Sequence, residues 1–284
     1  MPRAVVPMLQ AIGRIAEARG MSSYAVGGCV RDWLLGCVTE TDLDVTVEGQ
    51  GIDVARAAAH AFGGTLRVHA QFGTATILLS RAAMALGTPA SGALVLRVDL
   101  ATCRREAYAE PAAYPRVTIG TLEDDLFRRD FTMNAMAVAM TPQRFGRLID
   151  PFGGLRDLRR RRLRILHPRS FLDDPSRILR GVRFAQRFHL QWERGTARAL
   201  QEAVAAEALG WLNPGRWRKE LDRMREEPDP RACVRALAAL VGPRRLERLC
   251  AGPQIRPAWL TLLRGAHLTT EAVAASHGDR ITAR

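Results

Sequence analysis

Apolar positions along the first half of the chain alternate between two periods. Met8, Ile12 and Ile15 recur at helical spacing and stop at Gly20, which predicts a helix over residues 8–19. Short strand-like and helix-like segments then alternate: strand 23–26, helix 30–35, strand 43–47, helix 52–62 and strand 65–68. Residues 74–79 and 94–100 read as further strands, and the small residues with Gly87, Pro89 and Gly92 between them predict a loop over 82–92. From about Arg156 onward strand signals nearly vanish. Helices are predicted over 175–188, 194–206, 216–226, 230–240 and 244–249, with Pro214, Pro228 and Pro243 marking starts or breaks. The pattern is α/β or α+β in the first half and helical in the second.

Length changes this picture little: 284 residues accommodate one large domain or two to three small ones. An apolar fraction of 47% and a charged fraction of 25% are those of an ordinary soluble protein. Charge matters more. The net balance is +13, carried almost wholly by arginine, since Lys219 is the only lysine. Such a surplus favours polyanionic partners. Cys29, Cys37, Cys103, Cys233 and Cys250 form no C-x-x-C pair, which indicates neither zinc nor a disulfide framework and fits a reducing cytoplasm. No apolar run has membrane-spanning length, and the N-terminus has no signal-peptide core, so no membrane partner is expected.

Three stretches carry candidate chemistry. In the first, Val26 leads into Gly27-Gly28-Cys29-Val30-Arg31-Asp32, and a second strand brings Asp42-Leu43-Asp44. Glycines at a strand–helix junction let backbone N–H groups approach a phosphate. Asp42 and Asp44, at i and i+2, share one strand face and suit a hard cation such as Mg²⁺ that also binds phosphate oxygens. Taken singly, each feature is more often a turn or a solvated strand. The second stretch is Arg128-Arg129-Asp130-Phe131-Thr132-Met133-Asn134-Ala135, where Arg129, Asp130 and Asn134 could bind triphosphate and sugar, the alternative being a surface ion-pair cluster. In the third, Asp173-Asp174-Pro175-Ser176-Arg177, the i and i+3 positions of Asp174 and Arg177 place carboxylate and guanidinium on one side of a helix start. Together they complement the pairing edges of cytosine and adenine, and they reject guanine and uracil. A capping Asp with an i,i+3 ion pair is the plainer reading. Arg177, Arg180, Arg183 and Arg187 share one helix face, available to phosphates of a nucleotide or of RNA.

In order and spacing these stretches, with Asp150-Pro151-Phe152-Gly153-Gly154, resemble the motifs of class II tRNA nucleotidyltransferases and bacterial poly(A) polymerases. The resemblance covers about residues 26–221 and implies an α+β, polymerase-beta-like nucleotidyltransferase head (1–150), a helical neck (151–225) and a shortened helical body (226–284). It implies an Mg²⁺-dependent, cytoplasmic enzyme that adds C or A from CTP or ATP to the 3′ end of tRNA, or a poly(A) polymerase. A non-catalytic RNA-binding homologue is the alternative from another class. Asp42 and Asp44 would hold metal, and Asp99 stands where many members carry a third carboxylate. Gly27, Gly28, Arg31 and Arg129 would cradle the triphosphate, Asp130 would read ribose, and Asp174, Arg177 and Arg180 would face the nucleotide. Arg183, Arg187 and Arg216 would meet RNA. Residues 150–158 resemble a hinge motif, and the loop reaching Pro115 a mobile segment. Two departures stand out: Asp173 replaces a Glu, and the Ser-Glu pair expected before Arg216 is absent.

Overall fold

The computed structural model describes residues 1–37, 42–80 and 95–275, so the loop expected over 82–92 lies outside the described residues. The chain divides into two units, Met1–Ala107 with Arg116–Asp157, and Tyr108–Pro115 with Leu158–Arg284.

The first unit runs α1 (Val6–Glu17), β1 (Ser22–Val26), α2 (Gly28–Leu34), β2 (Asp42–Glu48), α3 (Gly51–Phe62), β3 (Thr65–His69), β4 (Thr74–Ser80) and β5 (Val95–Thr102). It continues with a hairpin of β6 (Arg104–Ala107) and β7 (Arg116–Ile119), then α4 (Leu122–Phe127), β8 (Ala137–Ala139), β9 (Leu148–Ile149) and the start of α5 (Gly154–Arg159). One seven-stranded mixed sheet, ordered β3-β4-β5-β2-β1-β8-β9, organises it. Among the described residues of this sheet only β2 and β5 pair in parallel. Alternation along β2 sends Leu43, Val45 and Val47 into a core shared with Leu9 and Ile12 of α1 and Val54 and Ala58 of α3. Each such Leu or Ile contributes about 1.5–3 kcal/mol by leaving water. Asp42 and Asp44 are thereby turned to the opposite, open face.

The second unit contains β10 (Arg162–Leu163), α6 (Ser170–Asp173), α7 (Ser176–Arg187), β11 (Gln191–Trp192), α8 (Arg194–Ala205), α9 (Pro214–Arg225), α10 (Pro230–Val241), α11 (Pro243–Leu249), α12 (Arg256–Gly265) and α13 (Thr270–Ala275). It is helical, as expected, except for a two-residue parallel pair between β10 and β11. Trp217, Leu221, Val234, Leu237, Trp259 and Leu262 are fully enclosed. Asn213 and Asp229 cap α9 and α10 by accepting the N–H groups of Arg216 and Ala232, both at 2.9 Å. Tyr108–Pro115 belong here: the Ala112 N–H donates to the Leu172 carbonyl at 3.1 Å, and the Asn213 amide donates to the Tyr114 hydroxyl at 3.3 Å.

Candidate active site

Parallel pairing of β2 with β5 sets Asp44 directly beside Asp99 and Asp42 beside Arg97. Asp42, Asp44 and Asp99 therefore lie on one sheet face. They are not equally free. Asp99 accepts the Thr76 hydroxyl at 2.5 Å and pairs with Arg97 at 2.9 Å, so both of its oxygens are engaged. Among the described residues no three His, Cys, Asp or Glu side chains converge as a ready-made metal cluster. Asp42 and Asp44 are the exposed carboxylates of this face. Two carboxylates suit a small hard cation that takes its other ligands from water and substrate phosphates. Although the Asp44 residue reaches solvent, the atoms crowded around its carboxyl thin its hydration and push it above its usual range; the Arg129 charge works against this, and the Asp99 and Asp42 charges reinforce it.

Gly27 lies at φ +78°, ψ −131°, a region open in practice to glycine alone. A Cβ there would fall 2.5 Å from the Arg129 Nη1, so the missing side chain is the space that the guanidinium fills. Gly28 has no such demand, its nearest neighbour being Arg31 at 3.6 Å. Arg129 is held at its other end by Asp125, 3.0 Å away, while its Nε is buried without a partner. Asp125 is fully enclosed and also takes Arg128 at 2.7 Å. Burial alone would raise its pKa, but Arg129 and Arg128 outweigh that and hold the carboxyl below its ordinary range.

Arg31 does not lie open to a phosphate. It is 5% exposed, bonds Asn134 Oδ1 at 2.6 Å and pairs with Asp32 at 2.8 Å. Asn134 donates onward to Asp130 at 2.9 Å, and the same Asp130 oxygen accepts the Phe131 N–H at 2.8 Å. Arg31, Asn134 and Asp130 form a buried brace between α2 and the Arg-Arg-Asp-Phe-Thr segment. The glycines of the 150–154 segment end in a helix start: Asp150 accepts the N–H groups of Gly154 and Leu155 at 2.6 and 3.0 Å. A Cβ on Gly154 would meet the Thr132 carbonyl at 2.1 Å, so the close approach there requires glycine.

In the second unit Asp174 and Arg177 are kept apart by separate partners. Asp174 Oδ1 accepts from the Ser176 N–H and hydroxyl at 3.0 and 2.6 Å, and Oδ2 pairs with Arg216 at 2.7 Å. Arg177 donates to the Ser170 hydroxyl at 2.6 Å. The expectation of an RNA-facing arginine stripe needs correction at Arg183. Arg183, 5% exposed, is clamped between Glu220 and Glu227 at 2.8 Å each, and Arg187 holds Glu227 at 2.6 Å. Two buried carboxylates claim the Arg183 guanidinium for packing between helices, while Arg187 keeps an exposed side. Arg216 is likewise committed to Asp174, and Arg180 lies 4.0 Å from Glu220 and over the Phe184 ring. Sequence reasoning assigned no role to Asp125, Thr76, Arg97 or Glu227. Asp125 was readable from its i+3 and i+4 spacing to Arg128 and Arg129, whereas Glu227 is separated from Arg183 by 44 residues and leaves no local signal.

Residues 23–164 match the family described as the poly A polymerase head domain. The chain belongs to the class II tRNA nucleotidyltransferase family. The A-adding tRNA nucleotidyltransferase of Geobacter sulfurreducens is 39% identical over 85% of this chain and 26% of its own length. That of Halalkalibacterium halodurans is 40% identical over 78% and 49%, and the CC-adding enzyme of Deinococcus radiodurans 40% over 75% and 52%. This member of the nucleotidyltransferase family thus spans between about a quarter and a half of these curated relatives. Among solved structures, a CCA-adding enzyme in its apo form II superposes with a TM-score of 0.78 at 38% identity, covering 87% of this chain and 55% of that one. The Thermotoga maritima CCA-adding enzyme complexed with tRNA gives 0.72 at 37%, covering 87% and 53%. Among the described residues no helix is long and apolar enough to cross a membrane.

Proposed function

We propose that the chain is a template-independent RNA nucleotidyltransferase that adds C, A or both from CTP and ATP to the 3′ end of tRNA. The observation that carries this reading is the open carboxylate pair Asp42–Asp44 in the same unit as the Gly27 cradle filled by Arg129. The orphaned Arg129 Nε is a buried donor that an anionic phosphate would satisfy. Asp42 and Asp44 would hold Mg²⁺, which when bound activates the RNA 3′-hydroxyl and neutralises the leaving pyrophosphate. Arg129 binds the triphosphate. Arg31 acts by positioning, through Asn134, the segment that carries Arg129 and Asp130. Asp174 would accept the exocyclic amino group of the incoming base, and Arg177, 4% exposed and bonded to Ser170 here, would turn from that hydroxyl to donate to its ring acceptors. Asp130, part of the buried brace with Asn134, would act on the ribose side by positioning. Free cysteines suit a reducing compartment such as the cytoplasm. Relatives at 39–43% identity include both A-adding and CC-adding enzymes, so both subtypes fit the chain.

The test offers the protein three tRNA transcripts, lacking CCA, ending in C and ending in CC, each with Mg²⁺ and CTP, ATP or both. Growth by defined C or A residues is expected, and the transcripts that grow name the subtype. Long A tails would indicate a poly(A) polymerase instead, and RNA binding without incorporation a non-catalytic homologue. Asp42→Ala should lower the rate by on the order of 10³-fold or more while RNA binding persists.

A further inference from the structure

Four consecutive arginines, Arg159 to Arg162, stand exposed at the start of the second unit, and no acidic residue occurs between Leu158 and Leu172. Some arginines elsewhere in this unit are claimed by carboxylates: Arg183, Arg187, Arg216 and Arg223 all have one within 3.1 Å. Arg159, Arg160, Arg161 and Arg162 have no carboxylate partner among the described residues. Their backbone is nonetheless fixed. The Arg161 N–H donates to the Leu158 carbonyl at 3.1 Å, and its own carbonyl accepts the Gln191 N–H at 2.8 Å. Leu158 and Leu163 anchor the two ends at 6% and 0% exposure, and Arg161 takes the left-handed φ of +52°. A held turn thus presents uncommitted guanidinia to solvent.

From this we infer that Arg159–Arg162 form a binding site for the sugar–phosphate backbone of the RNA substrate, separate from the nucleotide site; the inference rests on the reading that the chain acts on tRNA. Guanidinium forks match phosphate oxygens, and adjacent ones on a fixed turn can meet successive phosphates without reading bases. A lipid surface is the poorer match, because no large apolar side chain is exposed between Leu155 and Leu172.

The experiment measures tRNA affinity of the full chain against salt concentration, for the native protein and for R159Q/R160Q/R161Q/R162Q. The site predicts a loss of roughly 3 from the log–log salt slope, at ~0.7–0.9 per phosphate contact, and binding weakened by at least about tenfold near 0.15 M salt. Affinity for CTP and ATP should not change, and R159K/R160K/R161K/R162K should restore most of the slope. An unchanged slope overturns the site. So does loss of binding to phosphatidylserine vesicles with tRNA affinity intact. Should the Gln variant fold poorly, R159Q/R160Q alone should remove about half of the slope change, and no change there refutes the site equally. If the native chain extends no transcript yet the variant loses slope, the catalytic reading fails and the RNA site stands. If transcripts grow and the slope persists, the reverse holds.

Discussion

Gly27 meets two demands at once, a left-handed backbone and an absent side chain where Arg129 lies. Gly27→Ala should therefore weaken CTP and ATP binding by about tenfold or more and lower stability by ~1 kcal/mol or more. Gly28→Ala, with ordinary space around it, should do neither; isothermal titration of both variants decides. Arg216 presents a different kind of residue effect. Opposite charges at i and i+3 attract, and an Asp174 that swung onto Arg177 would cancel the edge proposed to read the base. Arg216 holds Asp174 at 2.7 Å and so keeps the two groups apart. We expect Arg216→Ala to erode discrimination of CTP and ATP from UTP and GTP by about 10–100-fold, the worth of a charged hydrogen bond, with Arg216→Lys only partly restoring it. A loss confined to melting temperature, with selectivity intact, would make Arg216 a packing residue only.

At the scale of elements, α7 is bound to α9 and to the turn after it through Glu220 and Glu227, which are 4% and 5% exposed. Removing one member of a buried pair leaves the other charge desolvated, a loss of about 3–5 kcal/mol, while an exposed pair is worth about 1 kcal/mol or less. Glu227→Ala should accordingly lower the melting temperature by several degrees. Arg223→Ala, which removes a half-exposed partner of Glu220, should change it little. Most helices were legible in the sequence: α3, α8 and α10 fall within a residue of expectation at each end. The β6–β7 hairpin was not. All four residues of β7 are exposed, so no inward–outward alternation marks it, and the residues between the two strands belong to the other unit. Helices α12 and α13 were also missed. Trp259, Leu262, Leu263 and Ala266 keep helical spacing, but Pro253 and Pro257 obscured it, although a proline in the first turn is compatible with a helix.

For the whole molecule, a ligand that binds only the folded chain raises stability by RT ln(1 + [L]/Kd), ~2.7 kcal/mol at a hundredfold excess over Kd. CTP or ATP with Mg²⁺ should raise the melting temperature by roughly 5–10 °C, and UTP or GTP should not. Equal shifts with all four nucleotides would leave triphosphate binding but remove base selection. Net charge also acts at this scale: +13 draws polyanions from a distance, while the arginines bound to internal carboxylates contribute little to local contact.

Local order along the chain was enough to determine the alternation of strands and helices, the shared face of Asp42 and Asp44, and the family. Each depends on residues a few positions apart, whose periodicity follows from strand and helix geometry. Tertiary structure alone decided which charged groups are free. Asp99 is occupied by Thr76 and Arg97, Arg31 by Asn134, and Arg183 by Glu220 and Glu227, partners up to 103 residues away. A charge in sequence is only a capacity to pair. Whether it meets a ligand or a neighbour is settled by which strands align and which helices pack, because a buried charge must find a counter-charge wherever the fold places one.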